Sequence, residues 1–120
     1  MPINQITLMM TEKHTPSKVV SLTHDSYGEK NTLIFKLVNE DKTPVDLTDT
    51  TQKIRLYDVR RKINLFTKNC TVPKDSVKKG ITQYTPTPND FAFTRKHYMR
   101  VSVESDNSRE FSEEVLLWIV

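Results

Sequence analysis

Two glycines, one cysteine and no long apolar run set the limits on this chain of 120 residues. With only Gly28 and Gly80 available, no glycine-rich loop can wrap its N–H groups around a phosphate or a dinucleotide. Most turns must be made by Asn, Asp, Ser, Thr and the 6 prolines. Cys70 has no partner for an intrachain disulfide, which suits a reducing compartment or an assembly made inside a cell. No stretch reaches the ~20 apolar residues of a membrane helix, so no membrane insertion is expected. The opening MPINQITLMMTEKH lacks a basic start, and its apolar part is too short for a secretory signal. Long basic tracts are missing as well. The formal charge is +3, and the clusters Arg60-Arg61-Lys62, Lys78-Lys79 and Arg95-Lys96 read as solvated charges.

What the chain does carry is short runs of alternating polarity between turn-formers, in a composition that suits one soluble, folded domain. Ile6, Leu8 and Met10 share one parity in the first run. This reads as an N-terminal arm or edge strand over residues 1–17, ended by HTPSK, where Pro16 donates no hydrogen bond. The main domain is expected over 18–120. KVVSLTH is rich in β-branched residues and reads as a strand, and DSYGEKN turns the chain at Gly28. In TLIFKLV, Leu33, Phe35 and Leu37 face one way and Ile34, Lys36 and Val38 the other, so this strand is expected to be central and covered. Val45 and Leu47 pin the following connector to the core while Asp46 points out. QKIRLYDV alternates with Ile54 and Leu56 inward, which argues strand against helix. RRKINLFTKNCTV and ITQYT follow as further strands. In TPTPND, Thr87 as a cap, Pro88 at a first helical position and Asp90 in the first turn predict a single helical turn. HYMRVSVES places Met99, Val101 and Val103 inward, and EFSEEVLLWIV closes the chain. Seven to eight short strands with no long amphipathic helix predict an all-β fold, a β-sandwich or a small barrel, with an immunoglobulin-like β-sandwich of antiparallel strands preferred.

Little chemistry is legible. His14, His24 and His97 lack the spacing that puts two ligands on one metal, and read as exposed or loop histidines. No cofactor is expected, and no nucleophile elbow exists. Cys70 reads as a small packed thiol, because no neighbouring base marks it for activation. Glu113 and Glu114 are adjacent, so on a strand they point to opposite faces and cannot act as an acid–base pair.

The last strand is different. Val115, Leu117 and Ile119 fall on one parity and Leu116, Trp118 and Val120 on the other, so both faces are apolar. Either a second layer covers the outer face, or another chain does. Ile6, Leu8, Met10, Leu116, Trp118 and Val120 are therefore the candidate partner interface. Two other surfaces are conceivable. Tyr57 or Tyr84 could form a platform for a glycan on a cell surface. Tyr57 with Arg55 and Arg60, or Phe93 with Arg95 and Tyr98, could stack nucleic-acid bases. No basic–aromatic signature accompanies the second, so nucleic acid is not an expected partner.

The stretch FKLVNEDKTPVDLTDTTQKIRLYD, from Phe35 to Asp58, carries a resemblance. It is similar to the N-terminal immunoglobulin-like domain of tailed-phage baseplate upper proteins, in which a turn with D-G-x-P precedes V-D-L-T-G and an alternating strand. Asp41, Pro44, Val45, Asp46, Leu47 and Thr48 match this pattern. Lys42 and Asp49 stand where the family has glycine. Asp49 is a tolerable substitute in a left-handed conformation, whereas Lys42 implies a different turn. The flanking strands match more loosely, from about Val19 to the end. The resemblance implies a virion structural protein with no catalytic site, made in the bacterial host cytoplasm. It would attach to neighbouring baseplate and tail proteins, or to further copies of itself, and hold receptor-binding proteins. Longer members of the family continue beyond the point where this chain ends.

Overall fold

The computed structural model describes residues 4–11, 18–24, 26–58, 60, 63–91 and 95–120. The expectations placed on His14, Pro16, Arg61, Lys62 and Phe93 lie outside them. Nine strands form among the described residues: β1 (Asn4–Met9), β2 (Lys18–Leu22), β3 (Leu33–Val38), β4 (Thr51–Tyr57), β5 (Asn64–Asn69), β6 (Ile81–Tyr84), β7 (Arg95–Glu104), β8 (Arg109–Phe111) and β9 (Val115–Ile119). They make two sheets, a small one in the order β1-β3-β6 and a large one in the order β2-β9-β7-β4-β5, with β8 also paired to β7.

The all-β sandwich expected from the alternation is what forms. Two pairings differ from the all-antiparallel expectation. β1 runs parallel to β3, and β2 runs parallel to β9. The chain leaves the small sheet after β1, passes through β2 in the large sheet and returns for β3. That detour supplies the crossover a parallel pair requires, without a helix.

The alternation places the core. Leu33, Phe35 and Leu37 of β3 are fully buried, as are Ile54 of β4, Met99 and Val101 of β7, and Val115 and Leu117 of β9. These side chains fill the space between the two inner faces, and each large one contributes roughly 1.5–3 kcal/mol by leaving water. β1 joins them: Ile6, Leu8 and Met10 are buried in the same core. Its C-terminal end is tied to the large sheet. Met9 N donates to Glu113 Oε2 at 2.7 Å, Glu113 N donates to Met9 O at 2.7 Å, and Thr11 N donates to Phe111 O at 2.9 Å. β1 is thus an edge strand of this chain's own sheet.

The connector between β3 and β4 repeats one device. Asp41 Oδ1 accepts Thr43 N at 3.0 Å and Thr43 Oγ1 at 2.6 Å. Asp46 Oδ1 accepts Thr48 N and Thr48 Oγ1 at the same distances. Each aspartate mimics a backbone turn two residues on, and the threonine hydroxyl holds each carboxyl below its usual range. Between the two turns Pro44 bridges Val38, Val45 N donates to Leu37 O at 3.0 Å, and Leu47 N donates to Val77 O at 2.8 Å. Val45 and Leu47 are buried while Asp46 is exposed, as their parity predicts. Lys42 takes φ 71° and Asp49 φ 56°. The lysine therefore adopts the left-handed backbone a glycine would favour, which corrects the expectation of a different turn.

Two local expectations also change. The segment after Pro86 is a turn and not a helical one: Asp90 N reaches back to Thr87 O at 3.2 Å, and Asn89 has φ 75°. The positive φ stops the turn from propagating as a helix. A short 3-10 helix, Glu29–Asn31, follows Gly28 in the segment read as a plain turn.

Candidate docking face

β9 presents Val115, Leu117 and Ile119 inward, all buried, and Leu116, Trp118 and Val120 outward. The outward three are not covered by a second layer. Trp118 is 41% exposed, Val120 is 54% exposed, and Leu116 is half-buried. Register then shows what surrounds them. Val19 of β2 lies opposite Leu116, Leu116 opposite Tyr98 of β7, and Tyr98 opposite Tyr57 of β4. Directly opposed residues share a face of a sheet, so Val19, Leu116, Tyr98 and Tyr57 form one apolar row across four strands. Val19 is 66% exposed. In the next row Ser21, Trp118 and Lys96 are opposed, and the Lys96 ammonium lies 4.7 Å from the Trp118 ring centroid. Such an exposed cation–π contact is worth about 0.5–1 kcal/mol.

The rest of this outer face is charged, with more cations than carboxylates. The Arg100 guanidinium stacks 4.7 Å from the Phe111 ring centroid and donates to Ser112 O from Nε and Nη2. Arg55 also lies over this ring, 5.5 Å from its centroid. The Glu104 carboxylate serves Lys53, Arg55 and Arg109, at 3.3, 3.5 and 3.4 Å. Desolvation alone would raise its carboxyl; the hydrogen bond and charge of Lys53, with Arg109 and Arg55, prevail and hold it low.

Of the six candidate interface residues, Leu116, Trp118 and Val120 lie on this face. Ile6, Leu8 and Met10 do not. They are buried in the chain's own core because β1 pairs with β3 and turns its apolar parity inward. Tyr84 is also buried, which removes it as a glycan platform, whereas Tyr57 stays half-buried on the outer face. Arg55 is committed to Glu104 and Ser102.

A second feature lies at the end of the sandwich. A pocket of about 210 Å³ is lined by Leu56, Phe66, Lys68, Asp90, His97 and Ile119, among others. Asp90 Oδ2 accepts Tyr84 Oη and, at 2.8 Å, Thr87 N; its Oδ1 accepts Lys68 Nζ at 2.5 Å. Burial would raise the Asp90 carboxyl, but the bonds from Lys68, Tyr84 and Thr87 together hold it below its usual range. Burial and the same carboxylate push the Tyr84 phenol upward. Both Asp90 oxygens are engaged in closing the β6–β7 loop onto β5, so the group is a latch rather than a base. His97 is a correction: it is buried in β7, with Nδ1 3.3 Å from Arg95 O, and burial holds its imidazole low. His24 is exposed after β2, as expected. Cys70 packs against the core, and burial pushes its thiol up to about 12. Among the described residues, no three His, Cys, Asp or Glu side chains group around a metal position. Glu113 and Glu114 are both buried in the link before β9.

The sequence missed the row itself and the Asp90 latch. Tyr98 and Tyr57 are 41 positions apart, and only strand register brings them together. The signal available for the latch was Thr87 three residues before Asp90, which was read as a helix cap.

No family model matches the chain, and no curated protein matches it. Among solved structures, it is similar to the N-terminal domain of phage TP901-1 ORF48. The TM-score is 0.72 at 16% sequence identity, over 99% of this chain and 98% of that one. The two share a fold along their whole lengths. No described helix is long and apolar enough to cross a membrane, which says nothing of β-barrels.

Proposed function

We propose that this chain is a phage virion structural protein, an immunoglobulin-like assembly module of the baseplate or tail. It docks to neighbouring tail proteins, supports receptor-binding components and carries out no covalent chemistry. The observation that carries this reading is the partly exposed apolar row Val19–Leu116–Tyr98–Tyr57 with exposed Trp118 beside it. A sheet face of this kind normally turns polar side chains to water, and contiguous apolar surface on a soluble domain marks a contact. Two further observations agree with it. The motif Asp41, Pro44, Val45, Asp46, Leu47 and Thr48 resembles the baseplate upper proteins. The whole-length structural likeness is to a domain of a phage protein.

The test is composition. Mass spectrometry of purified virions of the encoding phage finds the chain in the tail, and a Trp118→Asp chain, folded by circular dichroism, is not incorporated. Absence of the wild-type chain from virions overturns the proposal. A glycan-binding reading has one supporting feature, the Tyr57–Tyr98 pair on the outer face. Specific binding on a glycan array, abolished by Tyr57→Ala, would favour that reading instead.

A further inference from the structure

From the charges around the apolar row, we infer that its occupant is a partner chain with an apolar centre rimmed by carboxylates, and not a second copy of this chain. The inference rests on the docking reading above and adds the chemistry of the partner. Lys96 opens β7 opposite Trp118, Arg60 lies in the turn after β4, and Arg95 stands at the same end on the parity of Ile119, away from the row. All three are exposed, and none is within ion-pair distance of a carboxylate among the described residues. Three of the acids on or beside this face are already engaged. Glu104 is shared by three cations, Glu113 takes Met9 N and Lys18, and Asp58 Oδ1 takes Ile63 N.

This asymmetry decides against self-pairing. A two-fold axis along the strands would bring the Arg60, Arg95 and Lys96 ends of both copies together. An axis across the strands would lay that end over Arg55, Arg100 and the already shared Glu104. In the first arrangement cations meet cations, and in the second the far end carries Lys53, Arg55, Arg100 and Arg109 against Glu104 and the turn residue Asp106, so cations outnumber carboxylates in both and like charges brought together oppose association. A partner with an acidic rim satisfies Lys96 and Arg60 while its apolar centre covers Trp118, Leu116 and Val19.

Trp118 is the chain's single tryptophan, so its emission reports directly on the site. Two tryptophan-free synthetic peptides share a Leu/Ile/Val centre; glutamates flank it in one and lysines in the other. The glutamate peptide is expected to shift Trp118 emission to the blue, with binding weakened by added salt. The lysine peptide binds at least about tenfold more weakly. Lys96→Glu removes this preference, and Arg60→Glu, which does not touch the indole, reduces it. Equal binding of the two peptides, or no shift with either, overturns the inference. So does a wild-type dimer in sedimentation that Trp118→Asp dissolves. If Trp118→Asp chains still enter virions, the docking reading itself fails. If incorporation needs Trp118 but the peptides show no acidic preference, only the partner's chemistry is wrong.

Discussion

Replacing Gly80 with alanine probes how the β3–β4 connector is locked to the small sheet. Gly80 has φ +72°, and a Cβ there would meet Leu37 O at 2.4 Å, Val45 N at 3.0 Å and Val45 O at 3.2 Å. These are backbone atoms held by two bonds: Leu37 N donates to Gly80 O at 2.7 Å, and Val45 N to Leu37 O at 3.0 Å. No rotamer change can relieve the contact. The left-handed backbone costs alanine about 1–2 kcal/mol, and disturbing the two hydrogen bonds costs about 1 kcal/mol each. Alanine recovers about 0.5–1 kcal/mol by restricting the unfolded chain, so the net loss is about 3 kcal/mol. Lys42 is the control, because its φ of 71° is nearly the same while its side chain is exposed. Lys42→Gly relieves the backbone strain alone and stabilises the chain by about 0.5–1 kcal/mol after the entropic offset. Urea unfolding followed by Trp118 fluorescence separates the two. With a slope of about 1–3 kcal/mol per molar, the Gly80→Ala midpoint falls by roughly 1–3 M and the Lys42→Gly midpoint rises by a few tenths. A Gly80→Ala chain within about 0.5 kcal/mol of wild type would refute the close-approach argument.

Three further outcomes follow from buried titratable groups. Asp90 is held below its ordinary 3.8 in the fold, so its contribution is present above that pH and is lost as pH falls through the lower folded value. Asp90→Asn should cost about 1–3 kcal/mol at neutral pH and flatten the acid limb of a Tm-against-pH curve; an unchanged curve contradicts the latch. His97 is held below 6.5 by burial, so its contribution is present above 6.5 and falls away as pH drops toward the folded value. His97→Gln should remove that slope from the urea midpoint, and a slope retained in the variant argues against a buried neutral imidazole. Cys70, with its thiol pushed up to about 12, should resist Ellman's reagent in the native chain and react promptly in urea; prompt native labelling contradicts its packing.

The strands were legible where alternation was strict. Leu33, Phe35 and Leu37, then Ile54 and Leu56, then Met99, Val101 and Val103 are buried on the parity that the sequence shows. The motif turns were legible too, because Asp41 and Asp46 act through residues only two positions away. Parallel pairing was not legible, since nothing local in β1 or β2 states which distant strand it joins. Ile6, Leu8 and Met10 illustrate the consequence: an apolar parity fits an arm on a partner as well as an edge strand of the chain's own core. His97 was misread because a lone imidazole gives no burial signal in sequence. Half of the candidate site, Leu116, Trp118 and Val120, was visible as a surplus of apolar residues in one strand. The other half, Val19, Tyr98 and Tyr57, depends on register across three further strands.

The central claim is that the Trp118 face is covered by another protein in the mature particle. Hydroxyl-radical footprinting with mass spectrometry, on the free chain and on purified virions, measures this directly. The account predicts that oxidation of Trp118, Leu116 and Tyr98 drops in the particle while that of exposed Tyr27, which is outside the row, stays near its free value. Equal oxidation of Trp118 in both states would contradict it.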